Sequence, residues 1–376
     1  ENDILNIAAG AQFLFTGEYT FDVYGVLKAE GVEGNPIVFD DADSEDDIKW
    51  RGLALYDQTS ETLIEHVRIS GAHKYAGGGI SLRNSSPRIN HLTLSNNSSA
   101  VVGGGMVIAG GDDLVMSNLN IHNNTAGTSG TFGGGGGIWV EYTLDLTIEN
   151  SKIINNETLA NNAGGIMIQS SGYPTLRYVE ITGNKSPQGG GVVFDSNIGS
   201  QLINTTISAN EALVGSGLHL IESNESIIAN TIIQDNLPAS ASPITLSFDQ
   251  NDKMIIQNSN IEPGCIDLPM IVGEDTLAWS DGFNGCDYYG KAGNNEVSNP
   301  DGDMYDPEYE FSDACYFVVD FNDLTYAPSD YCCACGGGQV IGSDDWYNEA
   351  SENINDDPNF VMTTNPATSY SLGLSP

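Results

Sequence analysis

The chain has 376 residues, and 51 Asp plus Glu stand against 12 Lys plus Arg, for a formal charge of -39 at pH 7. A surface this acidic repels polyphosphates and anionic headgroups, which excludes most nucleic-acid binders and favours cations as small partners. Hydrophobic residues at 40% supply a core, while 44 glycines and abundant Asn promise many left-handed turns and few long helices. No apolar run approaches the roughly 20 residues that span a bilayer. The chain begins at Glu1 rather than Met, as either a processed secreted protein or an artificially shortened polypeptide would, and it is expected to be soluble and exported.

A repeat governs the chain from Gly52 onward. GLAL at Gly52, GISL at Gly79, GMVI at Gly105, GIWV at Gly137, GIMI at Gly165, GVVF at Gly191, GLHL at Gly217 and PITL at Pro243 recur in one phase. The first and third positions after each Gly are apolar, and period two predicts a strand. Six of the eight units then carry an apolar residue three places before an Asn, which aligns Asn97, Asn124, Asn156, Asn184, Asn210 and Asn236. A second column, three places before those apolar positions, reads His66, His91, Asn118, Asn150, Tyr178, Asn204, Asn230 and Asn258.

Three short strands and their turns in about 26 residues cannot bury a face alone, whereas stacked coils about 4.8 Å apart form a continuous core. The prediction is an all-β fold, a parallel β-helix or solenoid; a propeller blade needs about 40 to 45 residues and fits the step poorly. The aligned amides are expected to hydrogen-bond from coil to coil as a ladder. The longest unit, between Gly105 and Gly137, places its surplus in the glycine-rich stretch from Thr125 to Gly137.

The GGGI and IxxN alternation over about Gly52 to Ile261 resembles the right-handed parallel β-helix superfamily that includes pectate lyases. It is similar to the GGAI and FxxN repeats of chlamydial polymorphic outer-membrane proteins, and VYGVLKAEGVEGNPIVFDD with IKWRGLAL resembles the opening coils of secreted bacterial members. The resemblance implies an N-terminal cap and opening coils over 1–51, with AGAQFLFTG covering the exposed edge, coils over 52–261 and a closing segment over 344–376 that includes DDPNF and YSLGLSP. It leaves function open, because enzymes, adhesins and structural fibres share the fold.

Residues 262–343 interrupt the pattern as a cysteine-rich, acidic insert near the C-terminus. Cys265, Cys286, Cys315, Cys332, Cys333 and Cys335 all fall there, consistent with three disulfides among 15 possible pairings. CCxC also offers three thiolates to zinc, but no His follows His219 to complete a usual set. Asp301, Asp303 and Asp306 alternate around Gly302 in NPDGDMYD and form either a partial calcium loop or a solvated acidic loop; DDADSEDD at Asp40 to Asp47 is a second candidate.

Strand alternation sends the second and fourth positions after each Gly outward from the first sheet. Val107, Trp139, Met167, Val193 and Ile221 then make an apolar band whose expected cover is a stacked sugar, another subunit or a loop of the chain itself, such as the cysteine insert. Glu141 and Asp195 share a column two coils apart, about 9.6 Å at the backbone, near the separation of an inverting glycosidase's carboxylates, with His219 and Gln169 bordering them. Polysaccharide lyases of the resembled superfamily generally use an Arg or Lys base, often with calcium. Arg83 is the basic residue of the outward grid, and Arg68, Arg88 and Lys74 are expected near it. With no catalytic motif recognised, the sequence points first to a secreted cell-surface adhesin or a self-assembling fibre or surface-layer subunit, with calcium as the ion that would stabilise it. The alternative is a lyase or hydrolase acting on an extracellular polysaccharide.

Overall fold

The computed structural model describes residues 3–42, 48–130, 133–160 and 162–237, and beyond them the backbone of separate short strands together with a few residues such as Ile256 and Ser259. It is an all-β solenoid. Nine parallel strands, from Phe21–Val23 through Leu53–Tyr56, Ile80–Arg83, Met106–Ala109, Ile138–Glu141, Ile166–Gln169, Val192–Asp195 and Leu218–Ile221 to Ile244–Ser247, form what is here called the front sheet. A 16-stranded sheet, the back sheet, includes Leu63–Ser70, Arg88–Ser95, Thr147–Ile154 and Thr175–Thr182, and a side sheet stacks His73–Ala76, Ser98–Val102, Thr125–Ala126 and Glu157–Thr158. Every front-sheet pair is in register without a shift, so the apolar first and third positions stack coil on coil.

The N-terminal segment up to Arg51 belongs to the same stack. Ile4–Ala8 pairs with Val26–Glu30 and Gln12–Phe15 with Ile37–Asp41, both parallel. The end of the core is closed by aromatic rings: Phe13 lies flat on Phe39 at 4.7 Å and Phe15 on Trp50 at 4.3 Å, with Phe21 edge-on to Phe39 at 5.4 Å. Trp50 is fully buried and its indole N–H donates to the Ser70 carbonyl at 2.8 Å.

Backbone handedness accounts for the Gly and Asn content. Left-handed φ recurs at equivalent corners: His66, His91, Asn118, Asn150, Tyr178, Asn204 and Asn230 at the bend of the back sheet, and Asn96, Asn123 and Asn155 just before the amide column. Asn and Gly tolerate that region best, hence their abundance. A Cβ at Gly136, by contrast, would run into the carbonyl oxygens of Glu157 and Gly164, both backbone atoms of neighbouring coils. Gly136→Ala is therefore expected to cost about 1–3 kcal/mol, read as a lower urea midpoint.

Asn97, Asn124, Asn156, Asn184, Asn210 and Asn236 are all nearly fully buried and linked into one chain of hydrogen bonds. Asn156 is representative: its backbone N–H and its Nδ2 donate to Oδ1 of Asn184 at 2.9 and 3.0 Å, and Nδ2 also donates to the Ile121 carbonyl at 2.9 Å. Its own Oδ1 accepts from the backbone N–H and Nδ2 of Asn124 at 3.0 and 2.9 Å. A second, shorter ladder runs Thr143 N–H to Ser171 Oγ, Ser171 N–H to Asn197 Oδ1 and Asn197 N–H to Ser223 Oγ. These side chains satisfy corner N–H groups that a sheet ladder cannot reach.

Candidate functional site

The outward positions of the front sheet separate into two columns with different fates. The second column, Asp22, Ala54, Ser81, Val107, Trp139, Met167, Val193, His219 and Thr245, runs in register along the solenoid. From Ala54 to His219 it is buried and is not a solvent face, whereas Asp22 at its head is exposed. Val107, Trp139, Met167 and Val193 are at most 5% exposed and form a second core with Ala163, closed by Ala76, Val102, Ala109 and Ile221. Ala76 and Val102 come from the side sheet, and glycines before several front strands, Gly103, Gly134 and Gly189 among them, lie against the column. A Cβ on Gly134 would stand 2.6 Å from the Trp139 ring, and Cβ atoms on Gly103 and Gly189 would collide with Val107 and Val193.

Among the described residues the apolar band is thus buried against backbone of the chain's own turns. His219 is fully buried in the same column and borders no accessible surface.

The fourth column stays accessible. It reads Tyr56, Arg83, Ala109, Glu141, Gln169, Asp195 and Ile221, each paired in register with the next. Glu141 and Asp195 are half-buried, on either side of Gln169, and Asp195 Oδ1 accepts from Ser196 Oγ at 2.8 Å. At about 4.8 Å per strand their backbones are about 9.6 Å apart.

At the N-terminal end of this column Tyr24 stacks on Tyr56, ring centroids 4.8 Å apart and 10° from parallel, with Tyr24 75% exposed. Arg83 is next in line. Lys74, from the side sheet, reaches back to donate to Ser81 Oγ at 3.2 Å.

Electrostatics tie this corner together. Burial holds the Lys74 ammonium below its usual pKa; Asp22 opposes that shift and Arg83 adds to it. Burial likewise raises the Tyr56 phenol, assisted by Asp22 and Tyr24 and opposed by Arg83. Asp22, Tyr24, Tyr56, Lys74 and Arg83 therefore share one neighbourhood. The expected basic patch does not form as a whole: Arg68 and Arg88 lie on back-sheet strands, where Arg88 Nε donates to the Ser60 carbonyl at 2.9 Å. Asp22 and the Tyr24 platform were not singled out in the sequence, because their strand lies one coil before the first GLAL unit.

Asp301, Asp303 and Asp306, Cys286, Cys315, Cys332, Cys333 and Cys335, and the side chain of Cys265 lie outside the described residues. Of the acidic run, Asp41 pairs with Lys49 at 2.8 Å and Asp40 Oδ1 accepts from Ser70 Oγ at 2.7 Å.

The family described as "Right handed beta helix region" matches residues 46–160 and 136–300. The chain belongs to this family. Among solved structures it is similar to pectate lyase Pel9A, at 12% identity and a TM-score of 0.35 over 88% of this chain and 87% of that one. The Agl-KA catalytic domain is similar at 14% identity and a TM-score of 0.28, over 71% and 42% of the two chains. An alginate lyase from Paenibacillus sp. str. FPU-7 is similar at 12% identity and a TM-score of 0.27, over 69% and 92%. No curated protein matches the chain. Among the described residues no helix is long and apolar enough to cross a membrane, which leaves membrane-crossing strands unaddressed.

Proposed function

We propose that this β-helix is an extracellular or cell-surface adhesin that binds a neutral polysaccharide along the fourth column of its front sheet, without turnover. The observation that carries the reading is the exposed Tyr24 and Tyr56 stack set beside Arg83 and Asp22 at the head of a polar file ending in Glu141, Gln169 and Asp195. Sugar C–H faces pack on aromatic rings, and a planar guanidinium with a carboxylate engages vicinal hydroxyls through directed hydrogen bonds. The column repeats at about 4.8 Å per coil, so Tyr56 and Arg83 and, beyond Ala109, Glu141, Gln169 and Asp195 face an extended chain lying along the axis.

Charge selects the ligand class. With a net charge of -39, and Asp22 within the field of Lys74, the corner offers a polyanion little net attraction. This weighs against the lyase reading, whose substrates are acidic sugars. It also leaves the fibre reading without its side face, since the apolar band is already covered.

Affinity electrophoresis in neutral β-glucan, neutral xylan and polygalacturonate gels tests the proposal. Retardation by a neutral polymer, reduced at least about tenfold by Tyr56→Ala or Arg83→Ala with thermal stability retained, is the expected outcome. Each such loss corresponds to about 1.4 kcal/mol. Retardation by none of the polymers contradicts it. A second reading rests on Glu141 and Asp195 facing outward two coils apart: release of reducing ends from the bound polymer, abolished by Glu141→Gln, would make the file the cleft of an inverting hydrolase.

A further inference from the structure

A different corner of the solenoid gathers the donors of a metal site. His66 and His91 occupy the same left-handed bend in successive coils, at φ of 46° and 52°. Stacking the coils places their rings face to face, centroids 4.2 Å apart and 17° from parallel. Glu65 precedes His66, and one donor atom from each of Glu65, His66 and His91 falls within 4.8 Å of the other two. In the other coils this column carries Asn118, Asn150, Tyr178, Asn204 and Asn230, so a paired imidazole is a departure from the repeat rather than a demand of the fold.

From this juxtaposition we infer that Glu65, His66 and His91 form a surface site for a divalent transition ion of the zinc, cobalt or nickel class. Two imidazoles and one carboxylate suit those ions, whereas calcium and magnesium take oxygen donors. The Glu65 carboxylate is held in place: Asn90 Nδ2 donates to its Oε1 at 3.3 Å. The Oδ1 of Asn90 in turn accepts from Ser117 Oγ at 2.9 Å and Asn118 Nδ2 at 2.8 Å. Such outer partners fix ligand orientation and affinity. Glu30, exposed and in register with Glu65 on the neighbouring strand, adds a second negative charge beside the site.

Nearly parallel rings aim their nitrogen lone pairs side by side, so both rings turn toward each other to share one ion. His91 is exposed and has room to do so, and His66 is half-buried. The ion would bridge two successive coils, tightening the solenoid near its N-terminal end.

The test uses the full chain, stripped with chelator and desalted, in about 0.15 M salt with excess calcium present to occupy plain carboxylate sites. Cobalt is titrated by its visible absorption and zinc by calorimetry. One equivalent that resists calcium, with a cobalt spectrum of nitrogen ligation reversed by zinc, is expected. The double variant His66→Asn, His91→Asn places at both bends the residue that most other coils use there, so the fold is retained, as circular dichroism checks. It should lower zinc affinity at least about tenfold, as should Glu65→Gln. Absence of calcium-resistant binding in the parent chain, or unchanged affinity in the double variant, overturns the site.

Discussion

Asn156→Ala is expected to destabilise the protein by about 3–5 kcal/mol, seen as a lower urea midpoint and melting temperature. The variant strands the Asn124 backbone N–H, which now donates to Asn156 Oδ1 at 3.0 Å, and the Ile121 carbonyl, which now accepts from Nδ2 at 2.9 Å. Each orphaned buried group costs about 1–3 kcal/mol, and the vacated volume adds to that. The effect spreads to both neighbouring coils, because Asn156 is bonded to Asn124 on one side and Asn184 on the other. Asn123 is the internal control: it is exposed, left-handed at φ of 55°, and its side chain bonds to its neighbour His122. Asn123→Gly should change stability by less than about 0.5 kcal/mol. Equal losses in the two variants would show that the ladder contributes nothing beyond turn propensity.

Trp139→Ala is expected to cost a similar amount, about 3–5 kcal/mol, while leaving polysaccharide affinity of the folded fraction unchanged. The indole is 4% exposed and fills the second core between Val107 and Met167, its strand neighbours in register. Gly134 packs on it by backbone alone and has no side chain with which to fill the void. Tyr56→Ala should behave in the opposite way, losing affinity with little loss of stability, since Tyr56 is only partly buried at the end of its strand. If Trp139→Ala abolished binding at full stability, the indole would have to belong to the ligand site.

The contrast between these two aromatics shows what the sequence could and could not reveal. The glycine phase and the alternation after it define strand positions, coil length and register, since a slip of one position would turn Leu53 and Leu55 out of the core. That the apolar band has a cover was legible, but which segment supplies it was not, for a physical reason. Its lid is made largely of glycine backbone, and hydropathy reads side chains, so Gly103, Gly134 and Gly189 register as loop rather than as cover. Proximity in the chain misled in the same way for the cations. Arg68 and Lys74 are near in the chain but lie on different sheets, whereas Lys74 reaches the front sheet at Ser81 and lies within the field of Arg83. His66 and His91 looked like two irregular members of an amide column; the alignment put them in successive coils, but the facing of their rings and the approach of Glu65 depend on side-chain conformation.

The most direct measurement is calorimetric titration of the full chain with neutral and uronate-containing oligosaccharides of equal length, each at low and high salt. The account predicts binding of a neutral oligosaccharide with little salt dependence, lost in Arg83→Ala and in Tyr56→Ala. Binding confined to the uronate ligand and weakened by salt, or no binding to either, would contradict it.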